Sequence, residues 1–158
     1  MYDAIGAGLG PANMALLTAV EERRLGGAEV PAVLVLEAHA EFNWHAGMLL
    51  PRARCQVSFL KDLATMRNPT SPFTFVNYLH QHGRLAAFLN LRDTMPSRVE
   101  FNHYLRWVAE QVGGLVRYGE RVERVEPVAG PGGEVTALAV HARELASGAE
   151  RTYLARHL

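Results

Sequence analysis

The residues near the start of the chain that could do chemistry are Gly6-Ala7-Gly8-Leu9-Gly10-Pro11 and, further on, the acid Glu37. Together they suit a dinucleotide. Gly6 permits a tight turn after a strand, and Gly8 lets the backbone come close to a pyrophosphate. A helix beginning at Pro11 then offers unpaired N–H groups and a partial positive charge to the phosphates. Glu37 is placed to accept hydrogen bonds from an adenosine ribose. Its charge repels a 2′-phosphate, so the pattern favours FAD or NAD over NADP at this site. Pro11 stands where the pattern usually has its third glycine or alanine. A glycine-rich turn without a ligand is the alternative, and the strand–turn–helix–strand context weighs against it.

Other chemistries find less support. Seven histidines invite a metal reading, but His80 and His82 would not share a helical face and no HExxH pattern occurs. A single cysteine, Cys55, excludes a disulfide framework and any Cys-rich zinc site. No Ser/His/Asp order and no pair of carboxylates stands out as a catalytic set.

The elements that must position the glycine turn follow from local signals. Tyr2–Ile5 is a short apolar strand ending at Gly6, and Pro11 to about Leu25 is a helix stopped by Gly26-Gly27. Ala32–Leu36 is a continuous apolar run of the kind found in parallel sheets covered on both faces. Residues 38–54 show no period and contain Phe42, Trp44, His45 and Pro51, which predicts a loop lying on a ligand. A short helix is expected over Val57–Met66, another over Pro72–His82, and a third from Ser97 to about Val112, with Ser97 and Glu100 forming a capping box. Val116–Val128, Val135–Leu145 and Glu150–Leu158 are strand-like and separated by glycine turns. The chain stops inside strand-like sequence without a turn signal, which is the expectation for a truncated domain.

Composition sets the outer bounds. Of 158 residues, 49% are hydrophobic and 20% charged, enough apolar matter for one domain with a real core. Sixteen Lys plus Arg balance sixteen Asp plus Glu, so no basic field exists to attract nucleic acid or an anionic membrane. The apolar first twenty residues carry Asp3 and are broken by three glycines and Pro11, unlike a signal peptide or a membrane helix. A reduced, soluble, cytoplasmic α/β domain is expected.

Several further blocks are specific in themselves, alongside GAGLGPAN at Gly6–Asn13: FNWHAGMLLP at Phe42–Pro51, CQVSFLKDL at Cys55–Leu63, NPTSP at Asn68–Pro72 and PSR at Pro96–Arg98. With Asn77–His80, Gly83–Leu85 and Glu100–Trp107, they make the chain resemble the flavin-dependent N-hydroxylating monooxygenases, the L-ornithine N5- and L-lysine N6-hydroxylases of siderophore biosynthesis. The match runs from Tyr2 to about Val128. The resemblance implies a three-layer, Rossmann-like α/β FAD-binding domain with a parallel central sheet. It also implies a helical excursion over about residues 57–112 and a small β-meander over about 116–158.

By that resemblance, Gly6, Gly8, Gly10 and Pro11 hold the FAD pyrophosphate and Glu37 the ribose. Trp44 and His45 lie against the cofactor, Gln56 sits near the isoalloxazine, and Val122 gives backbone contacts to the adenine. Lys61 pairs with the α-carboxylate of the amino-acid substrate, and Arg98 is a candidate for the nicotinamide or flavin side. Read without the family, Lys61 beside Asp62 is equally a surface ion pair of at most about 1 kcal/mol, and Trp44 is equally ordinary packing. Cys55 stands where the family often has methionine.

The family reaction uses NADPH, FAD and O₂. Oxygen transfer comes from the flavin, so no side chain serves as a nucleophile. The FLKDLATMRNPTSPF and LNLRDTMPSRVEF stretches look more like the ornithine enzymes than the lysine enzymes. Family members are far longer, carry an NADPH-binding domain and assemble as homo-oligomers. The 158 residues alone are therefore expected to be an incomplete FAD-binding domain, catalytically inactive, and an FAD-binding remnant without catalysis is the alternative.

Overall fold

The computed structural model describes residues 1–158. Strand β1 (Tyr2–Ala7) leads through the glycine turn into helix α1 (Pro11–Leu25) and then strand β2 (Val33–Glu37). Three helices follow, α2 (Phe75–Gln81), α3 (Leu85–Asn90) and α4 (Arg98–Gln111), and then four strands: β3 (Val116–Tyr118), β4 (Glu120–Ala129), β5 (Val135–Glu144) and β6 (Glu150–His157). One six-stranded sheet runs in the order β3-β2-β1-β6-β5-β4. Its β3-β2-β1-β6 half is parallel and its β6-β5-β4 half antiparallel.

Strand β2 shows why the sheet is sandwiched. All five of its residues are buried, because alternate side chains enter two different cores. Val33 and Val35 join α1 and α4 through Met14, Leu17, Leu105 and Val108. Leu34 and Leu36, with Ile5 of β1, meet Val140 and Ala142 of β5, and Val122 and Val125 of β4 pack onto the same group. The third layer is thus the antiparallel end of the same sheet, curled over the parallel end. Ala155 sits at the pivot, opposite both Tyr2 and Leu138 and with no exposed surface. A small side chain suits that crowding.

Three local expectations differ from the structure. Val57–Met66 is not a helix; it holds only a single 3₁₀ turn, Phe59–Lys61. Tertiary hydrogen bonds keep the segment extended: Cys55 N–H donates to the Pro96 carbonyl (2.9 Å) and Phe59 N–H to that of Thr94 (2.9 Å). Asp62 then ends the turn by accepting from the N–H groups of Ala64 (2.9 Å) and Thr65 (2.6 Å). Second, the strand expected over Val116–Val128 is cut in two at Gly119, whose φ of +75° suits glycine alone without strain. Third, the capping box is only half made. Ser97 Oγ accepts from Glu100 N–H (3.0 Å), but the Glu100 carboxylate turns away to Tyr78 Oη (2.9 Å) and Arg84. Helix α3 had no distinctive sequence signal.

Around Lys61 the packing is aromatic and tightly bonded. Tyr104, fully buried, donates its hydroxyl to the Phe73 carbonyl (2.8 Å) and accepts from Leu63 N–H (3.1 Å). It thereby clamps the Lys61 turn and the start of α2 onto α4. Tyr104→Phe leaves both buried backbone groups unpaired, an expected loss of roughly 1–3 kcal/mol, readable as a lower urea midpoint with an unchanged m-value.

Candidate functional site

At the carboxyl ends of β1 and β2, where open α/β sheets bind ligands, lies a cleft of about 390 Å³. Gly8, Leu9, Gly10 and Pro11 form one wall; Glu37, His39, Asn43, Trp44, His45 and Ala46 form the other. Gly8 has φ +83°, and a Cβ on Gly6 would fall 2.8 Å from the Asn13 side chain. That side chain is in use, since Asn13 Nδ2 donates to the Gly8 carbonyl (2.8 Å) and braces the turn from below. Pro11 is the first residue of α1, where its missing N–H costs nothing, and Gly10 precedes it as an extended cap without a side chain. The first-turn N–H groups of α1 stay free of any capping side chain.

Glu37 ties the two walls together. Its carboxylate accepts from Leu9 N–H (2.6 Å) at one oxygen and from His39 N–H (2.8 Å) and His39 Nδ1 (2.6 Å) at the other. Burial pushes the carboxyl pKa up, but the two backbone N–H bonds and the imidazole outweigh it and hold the group below its ordinary value. Glu37 is therefore an anion in the floor of the cleft. Neither a lysine nor an arginine lines the cleft.

Trp44 is half-buried between α4 and the cleft. Its ring lies 5.7 Å from that of Phe101, and the Arg98 guanidinium sits 4.5 Å from its centroid as a cation–π pair. Arg98 Nε also donates to the Met48 carbonyl (3.1 Å), so one side chain pins both ends of the 3₁₀ loop. His45 takes φ +47°, an uncommon left-handed conformation for a non-glycine residue, and is exposed at the cleft.

The cleft thus gathers Gly8, Gly10, Pro11, Glu37, Trp44 and His45, with Gly6 beneath it. Gln56, Lys61 and Val122 do not line it. Gln56 and Lys61 are exposed on the segment bonded along residues 94–96. Lys61 forms no ion pair with Asp62, whose carboxylate instead accepts from Ala64, Thr65 and Phe75. Val122 lies on β4 opposite Ala142. Sequence reasoning missed His39 and the brace from Asn13; no spacing rule marks either. A larger hollow of about 590 Å³ near Leu60 and α2 is lined by hydroxyls already occupied in turns and caps. No three His, Cys, Asp or Glu side chains gather to hold a metal, and no helix is long and apolar enough to cross a membrane.

The family model for L-lysine 6-monooxygenase/L-ornithine 5-monooxygenase matches residues 1–158. The chain belongs to this family. It is 48% identical over 158 residues to an L-ornithine N(5)-monooxygenase of Burkholderia cepacia, covering all of this chain and 35% of that relative. The ornithine hydroxylase PvdA from Pseudomonas aeruginosa superposes with a TM-score of 0.89 at 46% identity, over 98% of this chain and 37% of that one. A Kutzneria ornithine N-hydroxylase, solved with reduced FAD, NADP⁺ and L-ornithine, superposes with a TM-score of 0.89 at 42% identity, over 99% and 36%. The chain therefore spans about a third of the length of the family members it matches.

A depressed carboxyl pKa makes a signed prediction. Glu37 stabilises the fold fully above the ordinary carboxylate value of 4.5, and that contribution is lost as pH falls through its lower, folded-state value. Wild type should melt above Glu37→Gln at neutral pH, and the gap should close as the solution is acidified below 4.5. A gap independent of pH would show that the charge on Glu37 contributes nothing.

Proposed function

We propose that this chain is the FAD-binding part of an L-ornithine N5-monooxygenase that uses NADPH and O₂. The observation that carries the proposal is the buried Glu37 anion joined to a left-handed Gly8 turn at a free helix N-terminus. Those groups fit an adenine dinucleotide: donors and a positive helix end for the pyrophosphate, an acceptor for the ribose, and space where any Cβ would intrude. Gly6, Gly8, Gly10 and Pro11 hold the pyrophosphate, Glu37 the ribose, and Trp44 and His45 the flavin side of the cleft. Val122 supports the adenine, and Gln56 lies toward the isoalloxazine. FAD, when bound, supplies the redox and oxygen-activating chemistry.

Lys61 is assigned to the substrate α-carboxylate. Its ammonium is unpaired and exposed, whereas its neighbour Asp62 is fully engaged in the turn, so the cation is free to act as a point charge toward the carboxylate. Ornithine and lysine differ by one methylene, which binding alone separates by only about 1–3 kcal/mol. Relatives named for ornithine at 46–48% identity favour ornithine, and L-lysine N6-hydroxylation is the second reading. The work of these residues is binding and orientation: the chain holds flavin and amino acid at a fixed separation for an oxygen transfer that needs no side-chain nucleophile.

Titration of the 158-residue chain with FAD, followed by flavin fluorescence, should saturate, whereas FMN, which lacks the adenosine half, should not bind. Gly8→Ala places a Cβ where φ is +83° and should weaken FAD by at least about tenfold, given a strain of order 1–3 kcal/mol. Equal binding of FMN and FAD, or no binding of either, would reject the assignment of this cleft.

A further inference from the structure

The glycine pattern accounts for Glu37 but not for His39, which stands two residues later on the same wall of the cleft. Both the backbone N–H and the ring Nδ1 of His39 reach one oxygen of Glu37, at 2.8 and 2.6 Å. The other oxygen takes Leu9 N–H at 2.6 Å. An ionised carboxylate only accepts, and offers about four lone-pair directions. Two at Oε1 and one at Oε2 are occupied, so the remaining direction belongs to Oε2.

The same chemistry fixes the imidazole. Because Nδ1 faces a carboxylate oxygen at 2.6 Å, Nδ1 carries the proton and donates to it. The residue is also held from behind, since its carbonyl accepts from Gly119 N–H at the β3–β4 corner (2.9 Å). Its side chain is nevertheless 63% exposed. A ring so constrained on one edge and open on the other is poor core packing and good ligand contact.

We propose that His39 completes the ribose site. It locks the Glu37 carboxylate so that the one free lone pair of Oε2 is offered to a ribose hydroxyl. The ligand class is an adenosine dinucleotide with an unmodified ribose diol. A 2′-phosphate would meet the Glu37 anion with no lysine or arginine in this cleft to offset it, so a phosphorylated ribose is rejected. This inference rests on the dinucleotide reading of the cleft.

The test is a double-mutant cycle on FAD affinity in the 158-residue chain, with thermal melting as the check on folding. His39→Ala should weaken FAD about tenfold, the scale of one hydrogen bond to a charged group, with only a modest drop in melting temperature because the Leu9 and residue-39 backbone N–H groups still pair the carboxylate. His39→Asn, which restores a side-chain donor to Glu37 on a shorter side chain, should fall between wild type and His39→Ala. In the Glu37→Gln background His39→Ala should cost less than about threefold, because most of its effect runs through the carboxylate. A tenfold loss undiminished in Glu37→Gln, or no loss at all on His39→Ala, overturns the role of His39 while leaving the site intact. Failure of the wild-type chain to bind FAD overturns the dinucleotide reading itself, and this inference with it.

Discussion

A buried carboxylate must be paired or it costs several kcal/mol, and at the end of β2 that requirement organises everything near it. Glu37 is only 8% exposed. Its partners come from two separate segments, the Gly6–Pro11 turn and the residues just past β2. Satisfying the anion therefore closes the turn against the following loop and creates the cleft between them. Neither the glycines nor α1 alone would do so. The glycines supply permitted conformations, the helix supplies unpaired donors, and the charge supplies the reason for the two walls to stay at a fixed separation.

The first turn of α4 plays the corresponding part for the rest of the chain. Ser97 caps the helix, Arg98 N–H donates to the Ala53 carbonyl (2.9 Å), and the Arg98 side chain holds Trp44 and Met48. Residues 53–59 run along residues 94–98 as a result, and the turn bearing Lys61 is delivered by the same contacts. One helix start thus positions both the aromatic wall of the cleft and the unpaired cation. The individual contacts are modest, about 0.5–2 kcal/mol for the cation–π pair. Deeper in, Tyr104 and Phe75 pack edge to face at 5.4 Å and give this half of the molecule an aromatic core.

Much of this was legible in the sequence wherever a local signal and the tertiary structure agree. The strand–turn–helix–strand opening is readable because apolar runs, Pro11 at the helix start and Gly26-Gly27 at its end all point the same way. The N-cap at Ser97 is readable for the same reason. The segment Val57–Met66 was misread because its hydrogen bonds go to Thr94 and Pro96, far along the chain, and no local propensity reports a distant partner. Glu100 was misplaced because Tyr78 and Arg84 compete for its carboxylate and win over the cap. At the cleft, glycines and Glu37 follow a spacing rule, whereas His39 is defined only by what its ring and carbonyl touch.

The corner at Gly119 shows how the antiparallel half of the sheet is coupled to the cleft. Gly119 N–H donates to the His39 carbonyl, and its own carbonyl accepts from Leu145 N–H (2.8 Å), so the β5–β6 end of the meander reaches the cleft wall through one residue. Next to it, Glu120 is a second buried carboxylate, 4% exposed, accepting from Tyr153 Oη (2.7 Å) with Arg151 at 3.6 Å and Arg117 at 4.0 Å. Buried carboxylates thus stand on both sides of this corner, Glu120 next to Gly119 in the chain and Glu37 opposite Tyr118 in the sheet. Each takes one partner remote in sequence, Leu9 for Glu37 and Tyr153 for Glu120. The meander thus packs on Leu34 and Leu36 and also braces the cleft wall through Gly119, even though none of its side chains lines the cleft.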